Sequence, residues 1–548
     1  MHRVNRIPWA TVRIADGEAA QAKFAASNED IFTPGQEVTL LLGHDGKTAS
    51  VFKGVVVTHS IRVEETGLSE LVLGCKDAAF VLAQERKSAL FHQQTDDAVL
   101  SSILRKAGLK AEIDPCEVTH EELVQYHATD WDFLVTRAEA NGLVVTIADG
   151  TVTATAPDTS LESRTTYTFG TDILACESAI DGRDQPTGVA AQSWDPTDQG
   201  LSETTAKTPD LQLPGNLTGD DLAQALKLKD RTLRHGGAVS GKELATLSDA
   251  YLTRYRLGKV QGSLLVEGAL LDNEPLRPGN TLTLKGLSDR FNGTIFVSGV
   301  RHTVRDGQWL TTIHYGLDPA FFAEEMALSA PPASGMLPAV GGLQIGVVSQ
   351  LEADPLGEDR ILVRIPVIDE VQDAVWARWA VPDAGPNRGY CVRPEIGDEV
   401  VLGFLNDDPR FPVILGSLYS SQQAAPLPGE DANGKKTWVT RSEMAMSWDD
   451  EKVQFSLSTP SGNEITLDEE QGELSLKDMN GNSVTLDKGG ISLHAAGDLK
   501  LSADGDIKLE GSNINMEAQS NLIAKASSGA ELSAGGETTI KGAMVKIN

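Results

Sequence analysis

The sequence predicts a mainly β fold with some α, and three observations carry that prediction. Apolar or small pairs two residues apart recur every seven or eight residues near the C-terminus. Five short strand patterns crowd into about 80 residues before that repeat. A Pro-Gly turn followed by a strand occurs twice, at Pro34-Gly35 and Pro278-Gly279.

The repeat runs through Val484/Leu486, Ile491/Leu493, Leu499/Leu501, Ile507/Leu509, Ile514/Met516, Leu522/Ala524, Ala530/Leu532, Thr538/Ile540 and Val545/Ile547. Positions i and i+2 share one face of a strand, so each unit is a short strand with a single apolar face. Turn formers such as Lys488-Gly489-Gly490 and Asp504-Gly505-Asp506 end one strand and redirect the chain. No Phe, Tyr, Trp or Cys follows Phe455, so the core is thin and aliphatic. A single-chain β-helix needs a coil of roughly 20 residues or more to enclose a core. Units this short require three chains, each supplying one wall of a C-terminal intertwined triple-stranded β-helix, a β-prism. Burying one Leu or Ile contributes about 1.5–3 kcal/mol, so nine units resist unzipping.

Upstream, Trp9–Ile14, Glu37–Leu42 and Val51–His59 read as strands. Asp96–Gly108 reads as a helix with Thr95 at its N-cap, and Thr129 opens a second helix that runs to Asn141-Gly142. After each Pro-Gly comes a Val-, Thr- and Leu-rich strand and then a second strand preceded by glycine, in Phe52-Lys53-Gly54 and in Phe291-Asn292-Gly293, which aligns the two motifs and suggests the same small barrel twice. Asp195–Asn216 has the composition of an exposed loop. Helical patterns follow at Asp220–Leu233 and Lys242–Leu257, and Ala330–Gly342 reads as a linker. Strands at Gln344–Leu351, Arg360–Pro366, Val375–Val381, Glu399–Leu405 and Val413–Leu418 suit an OB-fold barrel. Gln422–Lys436 is a further flexible stretch, and Trp438 begins the stalk.

Composition narrows the function. The net charge of −31 argues against nucleic acid and against anionic lipid as partners. No apolar run is long enough to span a bilayer, and the N-terminus lacks a signal-peptide core, which points to synthesis and assembly in the cytoplasm. Cys75, Cys116, Cys176 and Cys391 are scattered without CxxC spacing and read as buried free thiols. His120-Glu121 begins like HExxH, but Val124 stands where the second His belongs. Neither GxSxG nor a Walker A loop is present. Asp130 and Asp132 read as helix caps, and Asp449-Asp450 and Glu469-Glu470 as solvated strand ends. His494 faces away from the prism core by alternation. These residues predict no catalytic site, no cofactor and no metal centre.

The motifs also resemble a family. Asn5-Arg6-Ile7-Pro8, Asp16-Gly17, Phe32-Thr33-Pro34-Gly35, Val124-Gln125-Tyr126, Asp130–Leu134, Glu139–Gly142 and Phe291-Asn292-Gly293 with His302 are similar to VgrG-like spikes of contractile injection systems, whose phage relatives are baseplate hubs and puncturing spikes. The OB motif of Pro394, Gly397, Asp398, Phe404, Pro412 and Gly416 carries the resemblance most specifically. Trp448–Asp450 and Thr459–Ile465 resemble the start of the family's β-prism. The resemblance implies duplicated hub β-barrels in 1–160 and 161–335, the OB-fold barrel in 336–420, a neck in 421–447 and a trimeric needle in 448–548. It further implies a homotrimer that caps a hexameric inner tube among baseplate components, pierces a target envelope mechanically and carries a PAAR-like tip protein. The apolar end at Lys546-Ile547-Asn548 suits such a cap. No lysozyme insert or C-terminal effector is expected, and an extracellular, phage-tail-like particle is favoured over a type VI secretion VgrG or a phage tail spike. A β-helical polysaccharide depolymerase would need an aromatic-lined acidic groove, and a trimeric adhesin would need an export signal or anchor.

Overall fold

The computed structural model describes residues 1–44, 46–369 and 374–547. Asn548, at the expected cap site, lies outside them. Contacts divide the chain into two compact units, Met1–Gly341 with Asn406–Pro409 and Gly342–Leu405 with Arg410–Asn548.

The first unit holds one sheet motif twice. Strands β1 (Trp9–Ala15), β2 (Glu37–His44), β3 (Lys47–Val63) and β4 (Ser69–Lys76) pair in the order β1-β4-β3-β2. Strands β5 (Val260–Glu267), β6 (Thr281–Lys285), β7 (Gly293–Arg305) and β8 (Gln308–Tyr315) pair in the equivalent order β5-β8-β7-β6. Each is an open ladder rather than a closed ring of hydrogen bonds. The second is widened by His2–Arg3 beside β7, Thr166–Thr168 beside β6 and Ile173–Ile180 beside β5.

The likeness reaches individual hydrogen bonds. After the first Pro-Gly turn, Gly35 N donates to Val56 O at 2.8 Å and Val56 N to Gln36 O at 2.9 Å. After the second, Gly279 N donates to Val297 O at 2.8 Å and Val297 N to Asn280 O at 2.9 Å. Directly beyond, both sheets shift register, between Val56 and Thr58 in one and between Val297 and Gly299 in the other. A bulge of this kind adds local twist. The match corrects the sequence alignment of the two motifs. Gly54 faces Val38 and Ile295 faces Leu282, so Gly54 corresponds to Ile295 rather than to Gly293. The two glycines serve different needs. A Cβ on Gly54 would sit 2.1 Å from Lys76 O, whereas Gly293 adopts φ +124°.

Between the sheets lie helices α1 (Asp96–Lys106), α2 (Asp130–Ala140), α3 (Gly219–Leu226) and α4 (Gly241–Leu257). Leu100, Leu104, Leu134 and Val135 of α1 and α2 pack with Val145 and Val152 into the largest apolar cluster. Thr129 caps α2 by accepting from Asp132 N at 3.0 Å, and Ser240 caps α4 by accepting from Glu243 N. Thr95 occupies the N-cap of α1 but its side chain makes no capping bond. The helix expected over Asp220–Leu233 is shorter. Lys227 turns left-handed at φ 55°, and Arg231–His235 instead pairs parallel with Val189–Ser193. The expected loop Asp195–Asn216 contributes a strand, Gly200–Thr205, to the same sheet.

In the second unit, β9 (Gln344–Gln350), β10 (Ile361–Arg364), β11 (Ala374–Trp379), β12 (Glu399–Phe404) and β13 (Pro412–Ser417) close a barrel in the order β9-β10-β11-β13-β12. Val348, Ile361, Val363, Ala377, Val400, Leu402 and Ile414 fill it. All five strands fall where the sequence places them. A seven-stranded antiparallel meander follows: β14 (Lys435–Val439), β15 (Ala445–Asp449), β16 (Gln454–Ser458), β17 (Glu464–Asp468), β18 (Glu473–Lys477), β19 (Ser483–Asp487) and β20 (Gly490–His494). Its first strand and part of its second lie within the stretch expected as neck. Residues 495–547 pair with no strand in the single chain.

Candidate interaction surface of the stalk and barrel

Alternation along the meander sorts its side chains into two unlike faces. Cross-strand register aligns Trp438, Met446, Leu457, Ile465, Leu476, Val484 and Leu493 in one column. Beside it, Trp448, Phe455, Leu467, Leu474, Leu486 and Ile491 form a second column that begins at Lys436. Apart from that lysine, the whole face is apolar. The middle column of the opposite face is Thr437, Ser447, Ser456, Thr466, Ser475, Thr485 and Ser492, hydroxyls throughout. The expected core residues Val484, Leu486, Ile491 and Leu493 thus lie on one apolar face, and His494 falls on the hydroxyl face with Ser492.

The apolar face is bare in the single chain. Leu467, Leu476 and Leu493 are 44%, 41% and 55% exposed. Contiguous apolar surface of this extent marks an interaction site. Leu499, Leu501, Ile507, Leu509, Ile514, Met516, Val545 and Ile547 are all at least half exposed, and Leu501 reaches 64%. Tight turns hold the strands in register. At the turn from β18 to β19, Asn482 Nδ2 at 2.7 Å and Asn480 bond to Asp478 and hold its carboxyl down to about 2.

The OB motif residues shape the barrel rather than present chemistry. Gly397 at φ 93° donates to Val348 O at 2.9 Å, and Val348 N returns a bond to Asp398 O. Asp398 closes the turn by accepting from Glu395 N at 2.8 Å, with Pro394 just before it. Phe404 packs on the barrel core and pairs with buried Pro412. Gly416 pairs with Val401 at the bulge in β12. Sequence reading missed Gly346, where a Cβ would meet Val363 Cγ1 at 2.4 Å and Leu402 Cδ1 at 2.9 Å. A lone glycine inside an apolar strand pattern was the signal. Barrel and stalk meet through the rings of Tyr390 and Trp438, 5.5 Å apart, and through Arg441 and Glu395 at 2.9 Å.

His120 and Asp130, both singled out in the sequence, are consumed by packing. His120 is buried against Asp96 at 2.9 Å, and Arg137 grips both oxygens of Asp96 at 2.7 and 2.8 Å. Burial alone would raise the Asp96 carboxyl, but Arg137, His120 and Asn141 hold it below its ordinary range. Asp130 takes Lys87 at 2.7 Å and Gln125 at 3.0 Å instead of capping α2. Of the cysteines, only Cys75 is buried. Cys116 is half-buried, its thiol pushed up to about 11 by burial and by Asp96, while Cys176 and Cys391 are exposed. Scattering in sequence therefore did not mean burial. Among the described residues, no group of three His, Cys, Asp or Glu side chains could hold a metal, and no helix is long and apolar enough to cross a membrane.

A twice-used sheet, a closed five-stranded barrel and an apolar-faced stalk make up a VgrG-like fold. Residues 1–306 match the family model described as the Alg8 N-terminal domain, and residues 344–419 match the type VI secretion system/phage-baseplate injector OB domain. The first match spans more than half of the chain, and the chain belongs to that family. The type VI secretion system spike protein VgrG1a of Pseudomonas aeruginosa is 21% identical over 432 residues, covering 72% of this chain and 63% of the relative. VgrG3 of Vibrio cholerae, of the same description, is 25% identical over 206 residues, 31% of this chain and 20% of the relative. The chain spans less than two thirds of the length of these curated relatives. Among solved structures, the 43 kDa tail protein of prophage MuSo2 from Shewanella oneidensis is 11% identical with a TM-score of 0.44, covering 58% of this chain and 93% of that one.

Proposed function

We propose that the chain forms the homotrimeric central spike of a contractile injection system. The first unit joins a hexameric inner tube, and the stalk extends as a needle that pierces the target envelope and carries a PAAR-like tip protein. The work is mechanical, and the chain catalyses no reaction. It is made and assembled in the cytoplasm and leaves in an extracellular, phage-tail-like particle.

The observation that carries this reading is the repeated sheet, matched down to the bulge at Val56 and Val297. A three-fold object with two like sheets per chain offers six similar surfaces to a six-fold tube. The bare apolar face of the stalk supports the trimer, because a wall of this length cannot stay in water unpartnered. Mass in solution together with negative-stain images tests the reading. Three times the chain mass of 58.5 kDa and a globular head with a thin extension are expected, and a monomer would overturn it. The match to an injector OB domain shared with type VI secretion favours that machine as a second reading. Recovery of the chain in sheathed particles from the culture medium supports the first, and retention with the producing cells supports the second.

A further inference from the structure

Backbone pairing separates the stalk into two parts. Strands β14 to β20 pair with one another inside one chain, so the N–H and C=O groups of the inner strands β15 to β19 have ladder partners before any second copy arrives. Residues 495–547 repeat the same apolar spacing but have no such ladder.

Resting on the trimer reading, we propose that the apolar face of the meander is the surface on which copies of this chain first dock. Docking there commits the trimer and sets its register, and residues 495–547 build their shared ladders only afterwards.

Three points carry this. The occupant is another copy, because the pairs Val484/Leu486 and Ile491/Leu493 continue with the same spacing into Leu499/Leu501 and Ile507/Leu509. Strands without partners in their own chain need partners of that same period, and a second copy brings them. The docking face is the apolar one, since burying Leu467, Leu476 and Leu493, each more than 40% exposed, is favourable, whereas a column of hydroxyls gains nothing by leaving water. The order follows from entropy. Fixing the backbone of one residue costs about 1–2 kcal/mol. A preformed wall has already met that cost within its own chain, whereas the distal repeats must order and associate in one step.

Light scattering and limited proteolysis of the full chain and of its Leu476→Asp and Leu501→Asp variants test the order. The unaltered chain and Leu501→Asp are expected to be trimers, with the distal repeats of Leu501→Asp cleaved about tenfold faster as their local opening becomes more populated. Leu476→Asp is expected to be monomeric while the first unit keeps its melting transition. A monomeric Leu501→Asp or a trimeric Leu476→Asp overturns the proposal, whereas a monomeric unaltered chain overturns the trimer reading itself. If Leu476→Asp loses the first unit's transition, Leu476→Ser replaces it. Its trimer is expected to dissociate at about tenfold higher concentration, and unchanged dissociation overturns the proposal.

Discussion

His302 shows how single residues couple this molecule to pH. Its Nδ1 accepts from Trp309 Nε1 at 3.2 Å, and an indole N–H can only donate. That nitrogen must therefore carry a lone pair, and the imidazole is neutral. Burial, then the positive N-terminus and neighbouring His2 and Arg277, push the ring down to about 3. His2 is pushed down to about 4 by burial first and then by the N-terminus. The unfolded chain takes up these protons near pH 6.5, but the folded chain does so only near 4 and 3. Between those limits the unfolded state binds more protons, so stability falls as pH falls. The first unit is expected to melt at progressively lower temperature on acidification below about pH 6.5. His302→Gln, which keeps an acceptor for Trp309 without a titrating ring, is expected to flatten that slope. An equally steep profile in calorimetry would show that His302 is not among the groups responsible.

At the scale of elements, local pattern was legible wherever turns and apolar alternation agree. The five barrel strands lie between Gly, Pro and Asp turns, and the inner faces of β10 and β12 are visible as the alternating Ile361 and Val363 and Val400 and Leu402. The stalk pairs Val484/Leu486 and Ile491/Leu493 were legible for the same reason. What failed depends on partners distant in sequence. Arg231–His235 carries a helical pattern but finds a parallel edge at Val189–Ser193, and tertiary pairing overrides propensity. Resemblance also drew attention to the wrong glycines for packing. A Cβ added to Gly416 would meet nothing within 4 Å, whereas Gly346 is enclosed by Val363 and Leu402. Gly346→Ala is thus expected to destabilise the barrel by about 1–3 kcal/mol through overpacking. Gly416→Ala is expected to leave it nearly unchanged. Chemical denaturation followed by Trp376 and Trp379 fluorescence, both on β11, would separate the two. Equal costs would mean that the crowding at Gly346 relaxes freely.

For the whole molecule, the repeated sheet makes a prediction about symmetry. The two Pro-Gly turns hint at duplication, but the glycine after each turn misleads the alignment, because Gly54 answers a close backbone approach and Gly293 a positive φ. Only the hydrogen-bond ladder reveals that β1 to β4 and β5 to β8 share one order and one bulge. The closed barrel, by contrast, occurs once among the described residues. In the proposed trimer, three chains around an axis would therefore supply six sheets of one topology but three barrels and three stalk walls. The extra strands beside β5 to β8, contributed by His2–Arg3, Thr166–Thr168 and Ile173–Ile180, keep the six from being identical. Cross-sections of the proposed trimer through the repeated sheets are expected to correlate with themselves after a turn of about 60°, nearly as strongly as after about 120°. Wherever the barrels alone are cut, the correlation at the smaller angle should vanish. Three-fold symmetry alone in every layer would mean that the two sheets do not take equivalent places around the axis, and that the duplication serves folding of the chain rather than mating with a six-fold tube.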